Sequence, residues 1–318
     1  RADPSTTIDD MIKQLKRILE IAPRLLQLDR RLDEIKMNQG RMLTSMQRMA
    51  SSGPLWQHEF KVFSQWGEDG IIQYLVNHLG IKHHTFIEFG VEDFAESNCR
   101  FLMMKDQWQG FVIDGSPSNM ERLRGSYFYW QHQLNCKASF ITRENVSGLL
   151  DESGFDKDLG ILSVDIDGVD FHVLEALADW RPAILIVEYN DAFGWERPVS
   201  VPYDPAFVRR QKHPSNQYWG ANLPAFLHLA NARGYALVGT NSVGSNAFFV
   251  QGYSGFGVTP SHIICKVLAE GMSEGSARYD LISSVRRTQV LGKDQFRPLL
   301  LTAGKSWHQL SGYWTGRR

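Results

Sequence analysis

Four short apolar runs, each closing on an acid, limit the folds open to this chain: TFIEFG at 85–90, GFVIDG at 110–115, GILSVDID at 160–167 and AILIVEYN at 183–190. Runs this short, rich in Ile, Val and Phe, read as strands covered on both faces, the mark of a parallel sheet. Between them the spacing predicts helices at 97–105, 117–125, 144–152 and 169–180, with a weaker strand at 133–138. Strand and helix therefore alternate, as in an α/β domain. A polar, Pro- and aromatic-rich connection follows at 190–220, longer than a link needs and so a candidate lid or substrate wall. A helix at 223–233 stops at Gly234, and YALVGT and AFFVQ flank the turn NSVGSN, which suits an antiparallel hairpin.

The first fifty residues have a different texture. Residues 5–50 contain no aromatic side chain, and their apolar positions recur at three and four. Ile8, Met11, Leu15, Ile18, Ala22 and Leu25 follow one heptad frame; Leu25, Leu28, Leu32, Ile35, Met42, Met46 and Met49 follow a second, and the two collide near Pro23. Residues 1–52 are therefore expected to form a helical coiled coil through which the chain self-associates; a helix folded back on the domain is the alternative. SSGP at 51–54 reads as a hinge. The α/β domain is placed at 53–270, and 271–318 is a C-terminal extension whose role is left open between capping the domain and meeting a partner.

Thirty-four Lys and Arg stand against thirty-five Asp and Glu, so no global field draws the chain to nucleic acid or to anionic lipid. Cys99, Cys136 and Cys265 form no CxxC pair and no even framework, which suits a reducing cytoplasm. No apolar run reaches the roughly 20 residues that span a bilayer. The opening RADP is compatible with a cloning scar or an internal cut, which leaves an upstream segment open.

Ligands of an open parallel sheet sit beyond the carboxyl ends of its strands. Glu88, Asp114, Asp165, Asp167 and Glu188 all fall there, with Asp191 three residues further on. Capping of the following helices could explain one such acid, but packing gives no reason to repeat it at four strand ends. The first turn, FIEFGVEDFAESN at 86–98, supplies Glu88, then Gly90 for close backbone approach, then a polar helix start at Ser97 and Asn98. Asp114 is placed to accept hydrogen bonds from two ribose hydroxyls. A dinucleotide fold would need G-x-G-x-x-G for its pyrophosphate. Here Glu92 and Asp93 occupy that turn, repelling phosphate but tolerating the sulfonium and ammonium of S-adenosylmethionine.

These segments, together with FSQWGEDGII (63–72), VIDGSPSNM (112–120), SVDIDGVDFHVLEAL (163–177) and ILIVEYN (184–190), resemble the FkbM-type methyltransferases of the class I superfamily, over roughly 60–250. The SQWGEDG start resembles a bacterial branch of that family. The resemblance implies a Rossmann-like fold, a mostly parallel seven-stranded sheet closed by an antiparallel hairpin. It also implies methylation of hydroxyls on saccharides or similar metabolites in glycan or secondary-metabolite assembly, in the cytoplasm or peripheral to a membrane-bound assembly. By the same resemblance Glu88, Gly90 and Asp114 contact S-adenosylmethionine, Gln65, Glu68 and Asp69 lie near its methionine end, and Ser139 near its adenine; Asp165 is grouped with these contacts. The second glycine usual in the family's first turn is missing here.

A sugar hydroxyl is a poor nucleophile until a base takes its proton or a cation polarises its oxygen. Asp167, Glu188 and Asp191 offer hard oxygen ligands suited to Mg²⁺. The alternative is that Asp165 or Asp170 bonds backbone at the helix start and no metal binds. Asp167, His213 and His172 are the candidate catalytic residues, and Arg209, Arg210 and Lys212 could meet an anionic or phosphorylated acceptor or form a solvated edge. Two other functions fit parts of the pattern: a metal-dependent glycosyltransferase using DID as its D-x-D, and a non-catalytic coiled-coil adaptor.

Overall fold

A computed structural model of the chain describes residues 27–48 and 53–251. The first heptad frame, its collision at Pro23, and the extension 271–318 lie outside the described residues. Seven strands form one sheet in the order β3-β2-β1-β4-β5-β7-β6. They are β1 (Thr85–Phe89), β2 (Gln109–Asp114), β3 (Leu134–Ala138), β4 (Ile161–Val164), β5 (Ile184–Glu188), β6 (Tyr235–Thr240) and β7 (Asn246–Gln251). The first five are parallel, and β7 enters antiparallel between β5 and β6. The fold is thus Rossmann-like, with the strand-order reversal at β1 and β4, where open α/β sheets bind ligands.

Each inner strand serves two cores, which explains its unbroken apolarity. Ile87, Phe89, Phe111, Ile113, Leu162, Val164, Leu185 and Val187 face one core. Phe86, Val112, Ile161, Ile184 and Ile186, at the intervening positions, face the other. The first core is covered by α5 (Val146–Asp151), α6 (Asp170–Ala176) and α8 (Leu223–Ala232), the second by α2 (Glu68–His78), α3 (Arg100–Asp106) and α4 (Pro117–Arg124), and the short α7 (Arg209–Lys212) lies in the connection before α8. Local signals set the helix ends. Ser116 caps α4 by accepting from the Asn119 amide, with Pro117 in the first turn, and Asn222 caps α8 in the same way through the Ala225 amide. The turn before α2 is set by Gly67 at φ 108°, a left-handed position that glycine adopts without strain.

Residues 27–47 form the first helix, α1. It lies against the domain, but not through the heptad residues. Asp33 forms an ion pair with the buried Arg100 and accepts from the Tyr127 hydroxyl at 2.8 Å. Met37 packs with Val62, Phe63 and Phe101, and Gln47 donates to the carbonyls of His58 and Gly70. With Gly40 and Thr44, also buried, the docked positions 33, 37, 40, 44 and 47 recur at three and four residues along a second stripe. Leu28, Leu32, Ile35, Met42 and Met46 face away, 45 to 68% exposed. The fold-back alternative therefore describes one face of α1, and the described residues leave its apolar heptad face uncovered.

Candidate functional site

The acidic strand ends converge on one cavity of about 700 Å³. At the end of β1, Gly90 sits at φ 70°, and a Cβ there would lie 1.6 Å from the Asp165 carbonyl oxygen. The two strand ends at the switch point therefore touch backbone to backbone, and only glycine permits it. Glu88 is buried and accepts from the Ser97 hydroxyl at 2.7 Å, the Asn98 amide at 2.8 Å and the Cys99 amide at 3.1 Å. It shapes the turn and braces the start of α3, while burial raises its carboxyl above the ordinary range. Asp114, at the end of β2, accepts from the amides of Glu92 and Ser116 and from the Asn119 side chain. A carboxylate has about four lone-pair directions, so Asp114 keeps capacity to accept from a ligand at the cavity wall.

Beside this pair, Asp165, Asp167 and Glu188 place one oxygen each within 4.8 Å of one another. Burial pushes the Asp165 carboxyl up to about 7, with the charges of Asp170 and then Asp167 adding to the shift. Burial, and then the Asp165 charge, raise Glu188 well above its usual range. Two such carboxyls hold a proton between them near neutral pH. Apart from that shared proton no donor reaches the buried Glu188 Oε2 atom, and a cation would satisfy it.

The crowding in DIDGVD resolves into separate tasks. Asp170 is buried and accepts from the amides of Ile166 and Gly168, closing the turn between β4 and α6. Asp165 faces the cavity. Asp167, at φ 55°, is ion-paired with Arg209. The Arg209 guanidinium is held further by the Asn216 carbonyl at 2.7 Å and by the Trp219 ring, whose centroid lies 4.5 Å away.

Gln65, Glu88, Gly90, Ser97, Asn98, Asp114, Ser139, Asp165, Asp167 and Glu188 all line the cavity. The other expected site residues lie elsewhere. The Asp69 Oδ2 atom accepts from the amides of Val62, Phe63 and Ser64 and from the Ser64 hydroxyl, clamping the segment that presents Gln65 and Trp66. Burial raises this carboxyl to about 6. Glu68 accepts from Asn241, from Asn246 and from the Trp66 amide, joining the same segment to β7. Both therefore stand behind the cavity wall. Asp191 begins a 3-10 turn after β5 and lies outside the carboxylate trio, in which Asp165 takes the place expected for it. His172 bonds the Val201 carbonyl through Nε2 at 2.8 Å, and exposed His213 bonds Ser215; neither lines the cavity. Phe140, Phe207 and Asn246 line it without having been singled out, because aromatic and amide side chains in loops carry no pattern of their own.

No family model matches the sequence, and no curated protein does. Among solved structures the chain is similar to the CurJ carbon methyltransferase, with 9% identity over 57% of this chain and 52% of that one and a TM-score of 0.37. It is similar also to an O-methyltransferase family protein from Burkholderia thailandensis, with 11% identity over 59% of each chain and a TM-score of 0.37. A third is an S-adenosylmethionine-dependent methyltransferase from Clostridium acetobutylicum, with 8% identity, 57% and 88% coverage and a TM-score of 0.35. Likeness this remote says nothing of activity. The chain spans between half and three-fifths of the first two proteins' length.

Proposed function

We propose that this chain is an S-adenosylmethionine-dependent O-methyltransferase. The observation that carries the reading is the cavity at the switch point, where Gly90 lets β1 and β4 meet and Asp114 offers acceptor capacity beside a wall of carboxylates. Those residues fit the group. Asp114 suits the ribose hydroxyls, Phe140 and Ile141 give apolar surface beside Ser139 for a base, and the acidic lining favours a sulfonium and an ammonium while repelling a diphosphate. When bound, S-adenosylmethionine supplies an electrophilic methyl: the acceptor oxygen forms the new C–O bond, and the electron pair of the S–C bond returns to sulfur.

The chain's own part is to take the hydroxyl proton and orient the acceptor. A carboxyl raised to about 7, as Asp165 is, matches a general base working near neutrality. The trio Asp165, Asp167 and Glu188, with its buried Glu188 oxygen, also has the hard donor set for Mg²⁺, which would lower the hydroxyl pKa. A saccharide acceptor, work in glycan or secondary-metabolite assembly and a cytoplasmic setting complete the proposal on the strength of the resemblance in sequence. Self-association through α1 is supported by its uncovered heptad face. Among the described residues no helix is long and apolar enough to cross a membrane.

The glycosyltransferase reading shares the paired Asp165 and Asp167 but requires a diphosphate to enter an acidic cavity. Calorimetric titration with S-adenosylhomocysteine, and separately with UDP-glucose plus Mn²⁺, decides between them. Binding of the thioether alone is expected. Binding of the sugar nucleotide alone would establish the glycosyltransferase, and binding of neither the adaptor.

A further inference from the structure

Next to the main cavity lies a second recess of about 450 Å³, between Phe140 and the segment that carries Arg209, Arg210 and Asn216. The two cavities share Phe140, Ile166, Asp167, Phe207 and Arg209. Their electrostatics are opposed. Seven carboxylates and one arginine line the main cavity, whereas the recess has one carboxylate and two arginines. Arg209 stands at the boundary. It covers Asp167, the single acid the recess shares, while the Asn216 carbonyl and the Trp219 ring fix its plane. Arg210 has no carboxylate partner among the described residues, and the nearby Lys212 is matched by Asp204. The recess therefore keeps an unbalanced guanidinium charge beside the apolar walls of Phe140, Ile166, Phe207 and Val208.

We propose that this recess is the acceptor pocket and that the acceptor is a hydroxyl compound carrying a phosphate, gripped by Arg210 with help from Arg209, its carbon frame against Phe140 and Phe207. This rests on the methyltransferase reading for the word acceptor but not for the anion site itself. Planar guanidinium forks match the oxygens of a phosphate, and an anion set here would be screened from the acidic cavity by the Arg209–Asp167 pair. The hydroxyl could then point toward Asp165 while the phosphate stays in the recess.

The test uses inorganic phosphate as probe, titrated at constant ionic strength into the full chain with and without S-adenosylhomocysteine, and followed by calorimetry. Saturable binding in the millimolar range is expected. Arg210→Gln, at an exposed position, should weaken it by about tenfold or more and leave thioether affinity and melting temperature unchanged. Absence of saturable phosphate binding, equal binding by Arg210→Gln, or acetate binding as tightly as phosphate would each overturn the pocket. Phosphate binding by a protein that does not take up S-adenosylhomocysteine would keep the anion site and sink the methyltransferase reading, so the two failures are told apart.

Discussion

Gly90→Ala should abolish S-adenosylhomocysteine binding and cost about 3–5 kcal/mol of stability, the upper end for a single substitution. The cause is local and severe. The added Cβ would lie 1.6 Å from the Asp165 carbonyl oxygen and 2.8 Å from its carbon, both backbone atoms that no rotamer change can move aside. The left-handed φ of 70° adds a penalty of about 1 kcal/mol for any residue with a Cβ. Relief requires β1 and β4 to part at the switch point, which opens the floor of the cavity. Gly148→Ala serves as control: that position has nothing within 4 Å of a new Cβ, and its helix should be unharmed or slightly firmer. Denaturant unfolding of both variants reads the difference, and a Gly90→Ala protein as stable as the parent would show that the strand ends do not meet.

Asp165→Asn should do the opposite to stability while removing turnover. In the folded chain the Asp165 carboxyl is raised to about 7 from an ordinary 3.8, so the folded state binds the more protons between those values. Stability from this group is complete below about pH 4 and is lost as pH rises through about 7. Asparagine cannot ionise, so the variant escapes the loss. It should melt higher than the parent at pH 8, by the equivalent of about 1–3 kcal/mol, and match it near pH 4. Its amide can also donate to the buried Glu188 Oε2. Methyl transfer should fall about 10²–10⁴-fold for want of a base. Mg²⁺ should raise the melting temperature of the parent more than that of the variant, since one anionic ligand of three becomes a neutral amide. A variant less stable than the parent at pH 8, or one that keeps its rate, would remove Asp165 from the role given to it.

How far these features were legible from sequence depends on whether the responsible interactions are local. Runs such as ILIVE at β5 announce themselves because alternate residues feed two cores, so no polar gap appears. The hairpin of β6 and β7 was visible from its turn, but the insertion of β7 beside β5 is set by long-range pairing, Glu188 opposite Asn246, that no local pattern reports. Helix α2 went unplaced because its amino end is fixed by Gly67 and by contacts to distant loops. The acidic rim was readable as a group, because strand ends share an edge whatever the details. The division of labour within it was not. Asp170 and Asp69 are spent on backbone amides, and Asp191 sits past a turn whose direction depends on Asn190 holding the carbonyls of Gln217 and Trp219. The helix α1 shows the same limit. Its apolar frame was plain, but the stripe that docks is made of Asp33, Met37 and Gln47, whose partners lie in the domain.

All of the functional reading rests on a methyl donor held by the rim of the sheet, with Asp114 as its ribose anchor, and one measurement addresses it most directly. It is the affinity of Asp114→Ala for S-adenosylhomocysteine relative to the parent, taken by calorimetry on protein whose far-ultraviolet spectrum is unchanged. Three of the four lone-pair directions of Asp114 are taken by the protein, so loss of the one charge-assisted hydrogen bond left for the ribose predicts a fall of at least about tenfold. Parent and variant binding equally well, or a parent that binds none, would contradict the account.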